Sequence, residues 1–443
     1  MSAGTVDPAV VFDPATYRRG VPYDELAHLR DRGPVQRIPE PALLGWPEGP
    51  GYWAVLTHAE VGAVLRDPHT FSSNLGGTQV RDPSTPRQLA FVQQMMLNQD
   101  PPEHTRLRSL LARSFTPSAI RRIEGTITER AERIVAAVAA RGECDFAVDV
   151  AADLPLLTLA DILGVPESDR WLLYDWSNRV IGYQDEDYAQ SARFAGDGAT
   201  SMAKHSLEIR ASIGPDDQGR LPDPRSREGM ADMYAYAHEL AAAKRSQPGE
   251  DVISTLLGLD DAGGPITDAE LETMFFLFAV AGNETLRNGI PGSMLTLLQH
   301  RDAFDALVAD PALLPAAIEE MLRFWPPVIH FRRTATRDVD LGGVTIRRGE
   351  KVVVYHAAAN RDPAVFAHPD RFDIGRAPNP HLTFGTGPHF CLGAHLARRQ
   401  MQALLSESLR RLPAMKLAGE PEHLQSNFQN GLKHLPVRWE RRE

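Results

Sequence analysis

Cysteine, lysine and long apolar runs are all scarce in this 443-residue sequence, and each shortage argues against a class of protein. The two cysteines, Cys144 and Cys391, cannot build the disulfide framework of small secreted domains, so we expect a reducing, cytoplasmic setting. Only five of the 47 basic residues are lysines, the cations are scattered, and the formal net charge is -11. An acidic chain without a basic stripe argues against nucleic acid as the main partner.

No apolar run reaches the roughly 18 residues that a membrane-spanning helix needs. The richest run, residues 274–281, is soon followed by Asn283 and Glu284. Residues 1–17 lack the basic segment and the apolar segment of a signal peptide. We therefore expect a soluble protein without a membrane anchor. Its 43% hydrophobic content is ample for a large core.

Apolar residues recur at helical spacing from Glu103 onward, which predicts a mainly α fold with small β-sheets. The longest helix is predicted to begin at Thr267, where Thr267-Asp-Ala-Glu270 fits a capping box, and to end near His300. Pro291 is expected to bend it. Residues 184–228 are polar, glycine-containing and weakly periodic, which is typical of a mobile surface element.

The strongest chemical signal is the loop Phe384-Gly-Thr-Gly-Pro-His-Phe-Cys391-Leu-Gly393, which precedes a predicted helix. Glycines let the backbone turn tightly, and a helix N-terminus favours a thiolate. Phe384 is in a position to cover the sulfur from water. Taken alone, Cys391 is more often an inert core cysteine than a ligand.

The whole string resembles the haem-binding signature F-G-x-G-x-H-x-C-x-G of the cytochromes P450 at every fixed position. Three further segments resemble the family in the correct order, so the likeness runs from about residue 100 to the C-terminus. It implies a single P450 domain over residues 1–443, with haem between the long central helix and the Cys391 loop and helix. It also implies that Cys391 is the axial ligand of the iron and that residues 184–228 form a lid over the substrate.

A second segment of the resemblance is Ala281-Gly282-Asn-Glu284-Thr285, in the long helix. By chemistry alone, a glutamate and a threonine in an apolar stripe are either hydrogen-bonded within the helix or functional. In the family, the small pair makes room for dioxygen beside the haem. The acid and the alcohol deliver protons, so the resemblance implies that Thr285 bonds the distal oxygen and that Glu284 connects it to solvent.

A third segment, Glu320-Met-Leu-Arg323, places opposite charges three residues apart on one helix face, where an ordinary ion pair is expected. The resemblance identifies it as the structural E-x-x-R pair of the helix under the haem. Arg371, in Pro369-Asp-Arg-Phe372, resembles the third member of that group.

The fourth set consists of donors to the haem propionates, which are anions that need arginine or histidine. His104 and Arg108 lie four residues apart and resemble the H-x-x-x-R element of the family. Arg333 and His389 resemble the two remaining donors. Each alone is as readily explained as a solvated charge.

The family likeness implies a monooxygenase that contains haem b and inserts one oxygen atom from O₂ into an organic substrate. Its electrons are expected from NAD(P)H through a ferredoxin and a ferredoxin reductase, because no flavin or iron–sulfur motif is visible in the chain. Arg106, Arg113, Arg398 and Arg399 are candidates for a basic docking face, and scattered solvated arginines are an equally good interpretation.

The substrate pocket is predicted by family position and is mostly apolar, so a largely hydrophobic substrate is expected. Segments outside the pocket resemble the actinobacterial hydroxylases of sterol side chains and methyl-branched lipids. The predicted pocket residues are Leu277, Val280, Ala281, Ile329, His330 and Phe428.

Three alternatives stay open at this point. The segment 184–228 carries Arg193, Lys204, His205 and Arg210, which suit a small anionic aromatic substrate bearing carboxylate or phosphate. A haem-based sensor and an oxygen-independent isomerase or dehydratase would use the same thiolate. The Glu284–Thr285 pair argues against the last two, because neither needs proton delivery to dioxygen.

Overall fold

The computed structural model describes residues 7–83, 85–189, 198–215, 222–223, 225–258 and 266–440. Its α-helices are α1 (Tyr23–Asp31), α2 (His58–Arg66), α3 (Pro86–Val92), α4 (Glu103–Ala112), α5 (Pro117–Ala139), α6 (Asp153–Leu163), α7 (Trp171–Ile181), α8 (Glu186–Ala189), α9 (Ser201–Ser212), α10 (Ala231–Ser246), α11 (Val252–Leu257), α12 (Asp268–Gln299), α13 (Arg301–Ala309), α14 (Leu314–Phe324), α15 (His356–Ala359) and α16 (Ala394–Arg411).

The β-strands are short. They are β1 (Val35–Ile38), β2 (Tyr52–Val55), β3 (Phe71–Ser72), β4 (Glu143–Asp145), β5 (His330–Ala335), β6 (Val339–Leu341), β7 (Val344–Ile346), β8 (Lys351–Tyr355), β9 (Lys416–Leu417), β10 (Glu422–His423), β11 (Leu432–His434) and β12 (Pro436–Arg438).

The chain divides into two compact units. Unit 1 comprises Met1–Asp82, Arg121–Leu154 and Thr285–Glu443, and unit 2 comprises Pro83–Ile120 and Pro155–Glu284. All the strands above lie in unit 1, whereas the regular elements described in unit 2 are helical. The division falls inside α12, after Glu284. The mainly α fold with small sheets that the periodicity predicts is therefore confirmed.

The largest sheet of unit 1 has the strand order β1-β2-β8-β5-β3, and only the β2–β8 pair is parallel. Every residue of β8 is buried, because apolar clusters cover both faces of the sheet. Val353 belongs to one cluster, and Val352 and Val354 belong to the other. Side chains alternate between the faces along β5, so Phe331 and Arg333 share a face.

The longest helix, α12, agrees with the sequence prediction to within one residue at each end. The predicted capping box is formed: Thr267 N–H donates to Glu270 Oε2 at 2.9 Å, and Glu270 N–H donates to Thr267 Oγ1 at 3.2 Å. Pro291 lies inside the helix. Gly292 is required by packing, since a Cβ there would lie 2.0 Å from Nε1 of Trp325.

An aromatic cluster in unit 2 joins α7, α10 and the first half of α12. The Trp176 ring meets Tyr236 and Phe275 at centroid distances of 5.4 and 5.8 Å. All three side chains are buried. This contact holds α7 against the part of α12 that carries the predicted acid–alcohol pair.

The segment 184–228 contains helices that its composition did not predict. Within its described residues, α8 and α9 are formed, and α9 is tied to its neighbours by polar contacts. Thr200 donates from its N–H and its hydroxyl to the buried Asp169, at 2.9 and 2.5 Å. Arg210 pairs with Asp175 of α7 at 2.7 Å. Because these anchors are polar, the segment lacks the apolar period by which a packed helix is recognised.

Candidate active site

Cys391 lies between a 3-10 turn, Gly387–His389, and the start of α16. Its N–H donates to the Phe384 carbonyl at 2.9 Å, which closes the loop. The side chain is exposed, and α16 begins three residues later at Ala394. A thiol close to a helix N-terminus is stabilised as thiolate. Cys144 is the other thiol, and burial raises its pKa to about 12, so Cys144 stays protonated and unreactive at neutral pH.

Two glycines of this loop have left-handed backbone conformations, with φ of +68° at Gly385 and +74° at Gly387. The second is also pinned by packing. A Cβ at Gly387 would lie 2.4 Å from the Leu65 carbonyl oxygen, at the end of α2. The loop therefore approaches α2 more closely than any side chain permits, and this contact fixes the position of Cys391 within unit 1.

The loop also presents aromatic and cationic groups. The Phe384 ring lies 6.4 Å from that of Phe390, and the Arg398 guanidinium lies 4.5 Å from the Phe384 centroid. His389 Nε2 is 3.3 Å from the Ser73 hydroxyl. Gly393 is the residue that precedes α16.

The predicted propionate donors are divided between the two units. Arg333 and His389 belong to unit 1, and Arg333 is only 4% exposed, with Nη1 donating to the Arg332 carbonyl at 2.8 Å. His104 and Arg108 lie on α4 of unit 2, one turn apart, and His104 is buried. The spacing of four residues that places His104 and Arg108 on one helix face is therefore realised in α4, and the role of all four residues toward propionates stays a prediction.

Glu284 is fully buried, and both of its carboxylate oxygens accept hydrogen bonds from hydroxyls. Ser177 Oγ of α7 donates to Oε1 at 2.9 Å, and Tyr188 OH of α8 donates to Oε2 at 2.6 Å. Asn283 Nδ2 donates to the same Ser177 oxygen at 3.1 Å. The resemblance implies that Glu284 connects Thr285 to solvent, and the carboxylate itself has no exposed surface, so a proton reaches it through other groups.

One stripe of residues along α12 is accessible to solvent although most of the helix around it is buried, and we call it the open stripe. Leu277, Ala281 and Thr285 are spaced by four residues, and all three are accessible, Ala281 most of all. Leu286 and Ala279 on the other faces are buried. Next to the stripe, a Cβ at Gly282 would come within 3.0 Å of Leu159, so the helix is tightly packed on that side. The open stripe is apolar except for the Thr285 hydroxyl.

Glu320 and Arg323 form a fully buried bidentate pair, with N···O distances of 2.7 and 2.8 Å. The predicted third member requires correction. The Arg371 side chain is exposed, and only its carbonyl takes part, accepting from Arg323 at 3.2 Å. The guanidinium that reaches Glu320 is that of Arg376, whose Nε lies 3.2 and 3.1 Å from the two carboxylate oxygens. A turn at residues 373–376 brings Arg376 back to the pair.

The predicted pocket residues of unit 1 also require correction. Ile329 is 0% exposed and belongs to an apolar core cluster, and His330 is 2% exposed between Tyr355 and Phe428. Neither has surface to offer a substrate. The accessible aromatic side chain on this strand is Phe331, whose ring packs against Phe428 at 5.6 Å. The alternation of side chains along β5 indicates Phe331 as the pocket residue, because Phe331 lies on the same face of the sheet as Arg333.

Two buried histidines of unit 1 are held neutral. Burial lowers the pKa of His330 to about 3, helped by the nearby His356. Burial also lowers the pKa of His356 to about 4, helped by the positive charge of Arg333. Neutral imidazoles here leave Arg333 as the local positive charge.

Two of the four cations proposed for an anionic substrate are paired with acids of their own unit. His205 pairs with Glu239, and Arg210 pairs with Asp175. Lys204 is exposed on α9, and Arg193 lies outside the described residues. Such pairing leaves less positive charge for an anionic group than the sequence indicates.

The candidate docking arginines are likewise engaged. Arg398 binds Glu319 in bidentate fashion at 2.6 and 2.7 Å, Arg399 pairs with Glu124, and Arg106 pairs with Glu270. The side chain of Arg113 lies outside what the structure describes. The three described guanidiniums therefore carry less net positive charge toward a partner than the sequence indicates.

Comparison with known proteins gives consistent matches over the length of the chain. The family model for cytochrome P450 matches residues 226–433. The steroid C26-monooxygenase of Rhodococcus jostii is 36% identical over 96% of this chain and 83% of its own length. The methyl-branched lipid omega-hydroxylase of Mycobacterium bovis is 35% identical over 93% of this chain and 90% of its own length.

A solved structure gives the same result for the fold. A cytochrome P450 of Mycobacterium marinum in complex with pseudoionone has a TM-score of 0.81 and 35% identity, covering 99% of each chain. Among the described residues, none of the helices has the length and apolar character to cross a membrane. The chain belongs to the cytochrome P450 family and is a monooxygenase of that family.

Proposed function

We propose that this monooxygenase hydroxylates a C–H bond of a largely apolar, methyl-branched lipid or sterol side chain, with electrons from NAD(P)H delivered by a ferredoxin and its reductase. The single observation that carries the proposal is the open stripe of α12, Leu277–Ala281–Thr285, which is apolar apart from one hydroxyl. A substrate that packs on this stripe buries alkyl surface and leaves the hydroxyl for oxygen chemistry. The names of two relatives, a steroid C26-monooxygenase and a methyl-branched lipid omega-hydroxylase, suggest the class.

The residues of each unit fit the haem that the family uses. In unit 1 an accessible thiol, Cys391, lies at a helix N-terminus, and Arg333 and His389 are donors suited to propionate anions. In unit 2, His104 and Arg108 are a second such pair. When bound, haem supplies the iron that activates dioxygen, and its thiolate ligand favours cleavage of the O–O bond.

The chain's own residues then have distinct roles near the substrate. The short side chain of Ala281 leaves room for a small diatomic molecule beside the open stripe, and Gly282 lets the neighbouring side of α12 pack closely against Leu159. The Thr285 hydroxyl donates a hydrogen bond to oxygen and receives a replacement proton. Glu284, the preceding residue, is a buried carboxylate that receives a proton from the interior side of the helix and passes it on to Thr285.

The deciding experiment is reconstitution with a surrogate ferredoxin, its reductase, NADPH and ¹⁸O₂. Three probes are compared: a sterol with a branched side chain, a methyl-branched fatty alcohol and pseudoionone. We expect one ¹⁸O atom per product molecule, incorporated at a terminal or branched carbon of the first or second probe. An unlabelled rearranged product would identify an isomerase or dehydratase. NADPH-independent ligand binding without turnover of any probe would identify a sensor.

A further inference from the structure

A buried polar network surrounds Glu284, and three stretches of unit 2 contribute to it. Glu284 and Asn283 come from α12, Ser177 from α7, and Tyr188 from α8. The exposed fraction is 0% for Ser177, Asn283 and Glu284 and 2% for Tyr188. A carboxylate removed from water needs hydrogen-bond donors, and this one accepts one from each of two hydroxyls.

The short turn after α7 explains how Tyr188 reaches the acid. Residues 182–184 form a 3-10 turn, and α8 then folds back toward the end of α7. A Cβ at Gly182 would lie 2.6 Å from the Ala189 backbone nitrogen. Only glycine permits this approach. The approach places Tyr188, the residue before Ala189, on the side of α7 that carries Ser177. Asp185 fixes the turn, since Tyr188 N–H donates to its Oδ1 at 3.3 Å.

The Ser177 hydroxyl has a single proton and two acceptors within reach. Glu284 Oε1 lies at 2.9 Å and the Tyr174 carbonyl at 3.2 Å, while the Asn283 amide donates to the same oxygen. Because Asn283 is the donor in its contact with Ser177, the serine proton is available for one of those two acceptors. The contact with Glu284 Oε1 is the shorter of the two, so Ser177 donates to the carboxylate.

We propose that Ser177 and Tyr188 are positioning residues for the proton delivery by Glu284, and that the close turn at Gly182 sets their geometry. This rests on the proposed function, in which Glu284 supplies protons to Thr285. The two hydroxyls hold both carboxylate oxygens in one orientation, so the acid does not swing away from its neighbour Thr285 between turnovers. The segment that follows α7 thereby takes part in catalysis without touching the reacting atoms.

The test compares Tyr188→Phe and Ser177→Ala with a matched control, Tyr236→Phe. Tyr236 is also a buried tyrosine of unit 2, and it donates to a buried carboxylate, that of Asp169, at 2.9 Å. We expect product per NADPH to fall about tenfold in Tyr188→Phe, the loss that one hydrogen bond to a charged group commonly produces, with an increased solvent isotope effect. The spectral dissociation constant for substrate and the haem content should change less than about twofold, and Tyr236→Phe should match the wild type.

A second measurement reads the carboxylate directly. The infrared band that disappears in Glu284→Gln identifies this group, and it should shift in Tyr188→Phe and Ser177→Ala but not in Tyr236→Phe, because only the first two lose a donor to Glu284. In the Glu284→Gln background, Tyr188→Phe should cause no further loss of coupling, since the residues act as a unit. Gly182→Ala should lower coupling like Tyr188→Phe.

The outcomes distinguish the role of Glu284 from that of the residues that position it. Wild-type coupling in Glu284→Gln would overturn the role of the acid itself. Uncoupling in Glu284→Gln together with unchanged coupling and an unshifted band in Tyr188→Phe would overturn only the positioning role. An equal loss of coupling in Tyr236→Phe would show that any buried tyrosine has this effect, which also overturns it.

Discussion

Arg376 donates through Nε to both oxygens of Glu320, the carboxylate that Arg323 already binds in bidentate fashion. The side chains of Glu320 and Arg323 are 0% exposed, and that of Arg376 is 9% exposed. Arg376 also donates to the Ala367 carbonyl, so it fastens the stretch before the Cys391 loop to α14. One buried acid thus joins two distant parts of the chain.

This relationship predicts that the two arginines of the 371–376 turn differ in importance. Arg376→Ala should lower the free energy of unfolding by about 3 kcal/mol, because it leaves the buried Glu320 with one guanidinium fewer. Arg371→Ala should change it by less than about 0.5 kcal/mol, because that side chain is exposed and only its carbonyl takes part. Chemical denaturation followed by circular dichroism measures both. Equal effects of the two substitutions would contradict the assignment.

A second prediction concerns the loop that presents Cys391. Gly387→Ala should prevent stable haem incorporation, because it combines a φ of +74° with a Cβ placed 2.4 Å from the Leu65 carbonyl oxygen. Gly385→Ala has a similar φ of +68°, but its nearest neighbour lies at 4.0 Å. The matched variant should therefore lose only about 1 kcal/mol of stability, the usual cost of a left-handed backbone for alanine.

Haem content per protein, from the absorbance of the reduced carbon monoxide complex, distinguishes the two variants. Similar haem content in Gly387→Ala and Gly385→Ala would mean that the approach to α2 is not needed for the Cys391 loop to hold its shape.

The features that could be predicted from the sequence are those formed by residues that lie close together in it. The capping box of α12 depends on two residues three apart, and the Cys391 loop on ten consecutive residues, so both were found at the correct positions. The E-x-x-R pair is likewise set by one turn of helix. In each case the neighbour in sequence is also the neighbour in space.

The features that were missed depend on contacts distant in sequence. Arg376 replaces Arg371 because a turn folds the chain back, and sequence spacing does not reveal which of two arginines returns. Ser177 and Tyr188 reach Glu284 across 107 and 96 residues. Helix α9 was missed because polar contacts such as Arg210–Asp175 anchor it, and these leave no apolar period. Phe331, by contrast, was predictable from strand alternation once Arg333 was assigned a face.

A third prediction follows from the neutral histidines His330 and His356. Folding lowers the pKa of His330 to about 3 and that of His356 to about 4. Once the pH falls below about 6.5, these histidines are protonated in the unfolded chain but stay neutral in the folded chain. Their stabilising contribution is thus complete above that pH and is lost toward pH 4. Each should contribute on the order of 2 kcal/mol to the loss of stability between pH 7 and pH 4.5.

His330→Phe should remove its share of this pH dependence, because phenylalanine fills the site beside Tyr355 and Phe428 without a titrating group. The control is His395→Gln, which removes an exposed histidine from α16. The free energy of unfolding at pH 7 and pH 4.5 is measured for all three proteins. An identical pH slope in His330→Phe and the wild type would contradict the neutral state assigned to His330.

The last prediction concerns Thr285 and distinguishes a catalytic hydroxyl from a helical one. Thr285→Ala should lower product per NADPH by about tenfold and raise hydrogen peroxide release, since a positioned proton donor commonly contributes a hundredfold or more and water replaces part of it. Thr273→Ala is the control on the same helix, because its hydroxyl bonds back to the Ala269 carbonyl at 2.9 Å. That variant should lose no coupling, as its hydroxyl is already satisfied within the helix. If Thr285→Ala and Thr273→Ala were equally coupled, the Thr285 hydroxyl would serve only the helix, and the role in proton delivery that is proposed for it would be wrong.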